Sequence, residues 1–401
     1  MKSNRLLFIL IFFNLFLVGV YSQESVTISY HGNRNYVFTE RTDLRRYDNG
    51  KYVGLLSREV SSFISPKKKD GYYLYTGNFY VMEKTQRASM LVNNGLNDSI
   101  DSAFTISDDG KFEMLEDNGF PSFRSFPSYA SSEIHIGDSW KAAGQRVVDP
   151  LEKGIYTKLP ILVQYTYVGD RYFHDEDCYE LSAQWATRYG NAFGSSYFDY
   201  EGDPQLQRAT GSHSAKIYVS KESGNALLVS DSVNESFVYK DGKEVTLKGT
   251  ISLFTEYPPS VNEELLEPII TALKTKDQNI NFEKTDLGTR LSIHDLQFQP
   301  NTAELLPGEA ARIDNIAALL KKVPEKTRFL IEGHTARVGE EKGEYELSLE
   351  RAHAIAKALT QRGISSQRII CKGYGGRIPI GNNDTPEGRA INRRVEITIL
   401  E

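Results

Sequence analysis

Residues 331–355 read IEGHTARVGEEKGEYELSLERAHAI. A run of β type, Phe329 to Thr335, leads into a polar loop, and a helix then carries Arg351 near its start. Such a layout frames a small-ligand pocket, yet the residue at its mouth, Ala336, has no functional group. Other chemistry-bearing stretches are weaker. Gly373-Tyr374-Gly375-Gly376 lacks the Lys-Ser/Thr pair and the helix start of a phosphate loop, so it reads as a tight turn. His174-Asp175-Glu176-Asp177 could attract a cation, but contiguous acids point in different directions, and the segment reads as a solvated hairpin tip. The seven histidines include no HExxH pair to ligate zinc. Ser139 in GDSW lacks the glycine pattern of a nucleophile elbow, and Trp140 beside it reads as core. No catalytic group, metal site or cofactor is expected.

The elements that must position these residues fall into two regions. Residues 23–256 are β-rich. In YELSAQWATRY, Tyr179, Leu181, Ala183, Trp185, Thr187 and Tyr189 share one face and Glu180, Ser182, Gln184 and Arg188 the other. ILVQYTYV (161–168), AKIYVS (215–220) and EVTLKGTISLFTEY (244–257) are further strands, and Asp48-Asn49-Gly50, Ser223-Gly224-Asn225 and Asp241-Gly242 are turns between them. An antiparallel sandwich or half-barrel results. Several runs are short and charges interrupt both faces, which disfavours an outer-membrane barrel. Pro and Ser accumulate near 120–132, where two subdomains would divide. Residues 257–284 read as a linker with a short helix interrupted at Pro268.

From 285 to 401 strands and helices alternate. TRLSIHDLQF, TRFLIEGHT, RIICKGYG and VEITIL are strands. PGEAARIDNIAALLKK is a helix with a stripe of Ile313, Ile316, Ala317 and Leu320, and YELSLERAHAIAKALTQRG is a second, stopped by Gly363. The order βαβαββ implies a mixed α/β sheet with both helices on one face.

Composition sets the compartment. A formal charge of −6 gives no basic character for nucleic acid. MKSNR followed by LLFILIFFNLFLVGV and Val20-Tyr21-Ser22 matches a cleaved secretory signal over residues 1–22. No cysteine follows the apolar core to accept a lipid, and Cys178 and Cys371 read as two buried free thiols.

The C-terminal residues carry a resemblance. Phe298 with NTA (301–303), IEGHT (331–335), LSLERA (347–352), RGI (362–364), KGYGGRIPI (372–380) and NDTPEGRAINRRVEI (383–397) together resemble the OmpA-like C-terminal domain, a peptidoglycan-binding module of bacterial envelope proteins. The resemblance covers residues 285–401 and gives residues 23–256 no function. It implies a pocket for the diaminopimelate of the stem peptide, in which an arginine pairs with the ligand carboxylate and a loop aspartate meets its ammonium. By position that arginine is Arg351, and the aspartate is Ala336. A further family asparagine is Glu344 here, whereas Gly333, His334, Thr335, Asn301, Asn392, Arg393 and Arg394 fit the pattern. Adjacent Arg393 and Arg394 point to opposite faces of a strand, so at most one serves the pocket. Asn392 is expected to organise its loop.

Loss of a charge-assisted bond, roughly 1.5–3 kcal/mol, weakens the familiar ligand by about ten- to a hundredfold. Three outcomes stand open: Glu344 or Glu346 replaces the acid; the wall supplies another diamino acid; or the module is a structural remnant that binds other envelope proteins or nothing. The expected protein is an exported, periplasmic or outer-membrane-associated, non-enzymatic chain that associates with peptidoglycan. Its rival is a module that has lost wall binding and serves structure or protein interaction.

Overall fold

The computed structural model describes residues 25–32, 34–87, 90–190, 202–259, 261, 263–299 and 302–401. The expected signal segment, 1–22, lies outside the described residues.

Strands β1 (Tyr36–Asp48), β2 (Lys51–Ile64), β3 (Lys67–Lys69), β4 (Tyr72–Arg87), β5 (Met90–Ser107), β6 (Phe112–Glu116) and β7 (Phe123–Arg124) open the chain. They are followed by β8 (Ser139–Val148), β9 (Thr157–Phe173), β10 (Glu176–Gly190), β11 (Leu206–Ser220), β12 (Ala226–Tyr239) and β13 (Glu244–Glu256). All belong to one 13-stranded antiparallel sheet among the described residues, in the order β6-β5-β4-β2-β1-β13-β12-β11-β10-β9-β8-β7, with β3 on β4. The sheet curls nearly closed. The Phe112 N–H near one end of the order donates to Ser125 Oγ, beside the other end, at 3.0 Å. Of the two expected architectures, the half-barrel describes it.

Local chemistry sets the hairpins. Asn49 (φ 49°) and Gly50 (φ 77°) supply the two left-handed residues of the β1–β2 turn, and His174 (φ 50°) and Asp175 (φ 65°) do so between β9 and β10. On β10 Leu181, Ala183, Trp185, Thr187 and Tyr189 are buried, as the alternation predicts. The strands are longer than the sequence suggests, with 16, 18 and 17 residues in β4, β5 and β9. The sequence understates them because a strand covered on one face need not be apolar on the other. Length therefore says nothing against a membrane barrel, but the outward face does. Gln184, Arg188, Ser212, Ser214, Lys216, Ser232 and Asn234 are exposed along β10–β12, where a lipid-facing band would be apolar.

The interior is filled. Phe120, Phe123, Phe126 and Tyr129, from the Pro/Ser-rich stretch, cross it and pack on the sheet. Phe120 stacks on Phe79 at 6.0 Å, and Phe126 meets Trp185 at 5.1 Å. One core thus runs on both sides of residues 120–132. Charged groups are enclosed with it. Arg146 Nη2 donates to Glu235 Oε2 at 2.8 Å, and His213 Nδ1 lies 2.7 Å from Asp231 Oδ2. Thr187 Oγ1 donates to Glu235 Oε1 at 2.8 Å, and Trp185 stacks on the His213 ring at 4.4 Å.

The second unit comprises α1 (Glu263–Lys276), β14 (Ile280–Thr285), β15 (Gly288–His294), α2 (Ala310–Leu320), β16 (Phe329–Gly333), α3 (Glu341–Gln361), β17 (Ile369–Gly373), α4 (Pro386–Asn392) and β18 (Arg394–Leu400). Its sheet order is β14-β15-β18-β16-β17, with only β16 and β17 parallel. The expected βαβαββ core is present, with two additions. Residues read as linker form β14, which pairs with β15 in a hairpin. A short α4 is capped by Thr385, whose Oγ1 accepts the Gly388 N–H at 3.0 Å. Gly363 (φ 90°) ends α3 in the left-handed cap its position predicts.

Alternation then divides the strand residues between two cores. Phe329, Ile331, Val395, Ile397 and Ile399 face α2 and α3 through Ile313, Ile316, Ala352, Ile355 and Leu359. Leu330, Ile370 and Leu400 point the other way, onto Val37, Phe63 and Tyr80 of the large sheet. Strands β16, β17 and β18 are buried on both faces, one under the helices and one under β1, β2 and β4.

Candidate functional site

A cavity of about 280 Å³ opens where β15 ends and β18 begins. Its lining is Asp295, Leu296, Gln297, Phe298, His334, Arg351, Arg393, Arg394 and Val395. Helix α3 delivers Arg351, whose Nε donates to the Thr302 carbonyl at 3.2 Å. Its guanidinium sits 4.8 Å from the Phe298 ring centroid. Burial, and then the charge of Arg393, lowers the Arg351 pKa. Among the described residues no carboxylate pairs with either arginine, so an anion entering the cavity meets two uncompensated cations.

Arg394, also in the lining, is committed elsewhere. Its Nε donates to Glu396 Oε1 at 2.6 Å, and Nη1 donates to the Ile378 carbonyl at 3.3 Å. Burial raises the Glu396 carboxyl, but His334 and Arg394 more than offset this and bring it to about 2. Both arginines thus line the cavity, although one strand residue was expected to, and only Arg393 keeps its charge free.

His334 follows β16, and its N–H donates to the Arg394 carbonyl at 3.0 Å. The ring stacks on Tyr374 at 5.1 Å, and its Nε2 is 3.7 Å from Glu396, beyond hydrogen-bond reach. The residue is 3% exposed, and neither ring nitrogen has a partner. Burial lowers its pKa, so the imidazole is neutral at pH 7.

The remaining expected site residues lie outside this lining. Thr335 is buried with its N–H spent on the Gly375 carbonyl at 2.9 Å. Asn392 Oδ1 accepts the Ile380 and Gly381 N–H groups at 2.8 and 2.7 Å, which makes it the loop organiser its position suggests. Asn301 lies outside the described residues. Glu344 is turned away: its Oε1 accepts the N–H groups of Val338 and Gly339 at 2.6 and 2.7 Å. It holds the loop that follows Ala336 rather than facing the cavity, and Ala336 is itself buried. Glu346 is exposed and near Lys342 at 3.9 Å.

Asp295 was not singled out from the sequence. It adopts a left-handed conformation (φ 54°), which a short polar side chain tolerates. Arg312 fixes this turn by donating to the His294 carbonyl at 2.8 Å.

The lesser motifs resolve as structure. Glu176 accepts from Arg34 at 2.7 Å and from Ser220 at 2.6 Å, and no metal-binding group occurs among the described residues. Trp140 stacks on Tyr165 at 5.4 Å. The Gly375 N–H donates to Ser348 Oγ at 2.8 Å, seating the glycine turn against α3. Cys178 and Cys371 are free and buried.

Fold and cavity together define a two-layer α/β domain with an arginine-lined cavity, joined to a β-rich body. Residues 297–393 match the OmpA family, and the C-terminal unit is an OmpA-like domain. The chain is 38% identical over 106 residues to the probable lipoprotein YiaD of Escherichia coli, covering 26% of this chain and 48% of that protein. It is 38% identical over 104 residues to the peptidoglycan-binding protein ArfA of Mycobacterium tuberculosis, covering 26% and 32%. The chain therefore spans about half the length of the first relative and a third of the second. Among solved structures, the cell wall anchor of the T6SS from Pseudomonas aeruginosa shares 28% identity at a TM-score of 0.30, with 34% and 96% coverage.

Proposed function

We propose that the protein is an exported cell-envelope component that associates non-covalently with peptidoglycan through its C-terminal domain, holding the β-rich body at the wall. The observation that carries this reading is Arg351. The arginine expected to grip a stem-peptide carboxylate lines a cavity and has no carboxylate partner among the described residues. The match to the OmpA family and the similarity to a protein named as peptidoglycan-binding support it. Binding, not turnover, is the mechanism. Acid and base groups do converge in the large sheet, at His213, Asp231 and Glu235, but these are at most 4% exposed and bonded to one another. They serve as core polar links.

A second reading, a module that has lost wall binding and serves structure or protein contact, draws on the buried Ala336 and the engaged Glu344. Co-sedimentation of the full chain with insoluble peptidoglycan separates the two. Wild type should sediment and Arg351→Ala should not. Absence of wild-type binding at concentrations where Ala336→Asp binds would favour the second reading. Unchanged binding by Arg351→Ala would exclude this cavity as the site.

A further inference from the structure

We infer that Asp295 supplies the carboxylate that position 336 lacks, so that the cavity receives the ammonium of an amino-carboxylate ligand at the turn after β15. This rests on the wall-binding reading and specifies how the altered pocket recognises its ligand. Four observations carry it. Among the described residues Asp295 is the one carboxylate residue in a lining that also holds Arg351 and Arg393. It makes no ion pair with either, and its Oδ1 is oriented by the Gln297 side-chain amide at 2.7 Å, which leaves capacity for a further donor. Its backbone is fixed in a left-handed turn by Arg312. Finally, His334, buried and with neither ring nitrogen hydrogen-bonded, lines the same cavity.

The arrangement sorts a ligand by charge. A carboxylate is drawn to the guanidinium groups of Arg351 and Arg393, and an amine to the Asp295 carboxylate. A neutral imidazole in the same lining accepts or donates one bond without adding charge. Glu344 cannot share this task while its carboxylate holds the 338–339 amides. The acid has therefore moved from the loop after β16 to the turn after β15. The ligand is held as a zwitterion with its polarity set by a different element.

The test uses the full chain, titrated calorimetrically with diaminopimelate and with pimelate, which has the same carbon chain and carboxylates but no amines. Asparagine suits a left-handed position at least as well as aspartate, so Asp295→Asn is expected to fold, with an unchanged melting curve as the check. Wild type should bind diaminopimelate more tightly than pimelate. Asp295→Asn should weaken diaminopimelate by about tenfold, while pimelate binding stays equal or tightens. Equal diaminopimelate affinity in wild type and Asp295→Asn would overturn the assignment while leaving wall binding through Arg351 intact. Equal weakening of both ligands would also overturn it, by showing that the change disturbs the cavity rather than the amine contact. Wild type that binds neither ligand nor the wall would overturn the wall-binding reading, and this assignment with it.

Discussion

Replacing Lys372 by methionine should remove a rise in stability that the wild type shows between neutral and mildly alkaline pH. Lys372 lies on β17, on the face that meets the large sheet, and is 6% exposed. Its ammonium donates to Asn78 Oδ1 and lies 4.3 Å from the Tyr374 ring centroid. Burial lowers its pKa from 10.5 to about 8, against the opposing pull of Asp101 and Glu332. The folded pKa lies below the unfolded one. Between those values the unfolded chain binds a proton that the folded chain does not, so stability rises with pH. Integrated from about pH 7 to about pH 9.5, the rise is about 2 kcal/mol. The window closes there because Tyr80 and Tyr374, whose pKa values burial raises, favour unfolding once free tyrosines ionise near 10. Urea unfolding of both proteins at several pH values measures the effect. The wild-type profile should climb relative to that of Lys372→Met by about that amount. Parallel profiles would refute the buried, proton-shedding amine, and with it the tight seating of β17 on the large sheet.

Three further outcomes are expected. Glu344→Ala strips the acceptor from two loop amides and should cost about 1–3 kcal/mol in thermal unfolding, with faster hydrogen exchange at Val338 and Gly339. Arg146→Met takes the guanidinium from buried Glu235, leaving it only His213 and Thr187, and should destabilise the large sheet by about 3–5 kcal/mol in chemical denaturation. Gly333→Ala places a Cβ 2.0 Å from the Ser348 carbonyl oxygen, so β16 and α3 must part, and the melting temperature should fall by the equivalent of about 1–3 kcal/mol.

Periodicity and turn chemistry made much of the fold legible. The alternation of β10, the left-handed residues after β1 and the cap at Gly363 are local, and each appears where the residue types place it. The lengths of β4, β5 and β9 were not legible, because a strand covered on one face need not be apolar on the other, and so carries no continuous apolar signal. The docked back face left a fainter trace. In FLI (329–331) and in the pair Ile369-Ile370 adjacent residues are apolar, the mark of a strand covered on both sides. Nothing local says what covers them. At the site, Arg351 could be placed by motif, but the orientation of Glu344 could not. A helix carboxylate spends itself on loop amides only once the loop folds back over it. Asp295 escaped notice because it belongs to no motif, and its value arises from a turn that brings it into one lining with residues up to 100 positions away.

The contact between Leu330, Ile370 and Leu400 on one side and Val37, Phe63 and Tyr80 on the other has a mechanical meaning. Helix α1 packs into the C-terminal core through Leu266 and Leu273, so the covalent link to the large sheet narrows to the few residues after β13. A tug on the C-terminal domain reaches the body by two parallel routes, that short tether and the apolar joint. The joint carries strain first, because its side chains are already in contact. Sliding it apart also means breaking the Lys372–Asn78 bond and the ion pairs of Lys67 with Asp286 and Arg328 with Glu256. The joint therefore behaves as a stiff coupling with the tether as its safety line, and a load on one end arrives at the other with little slack.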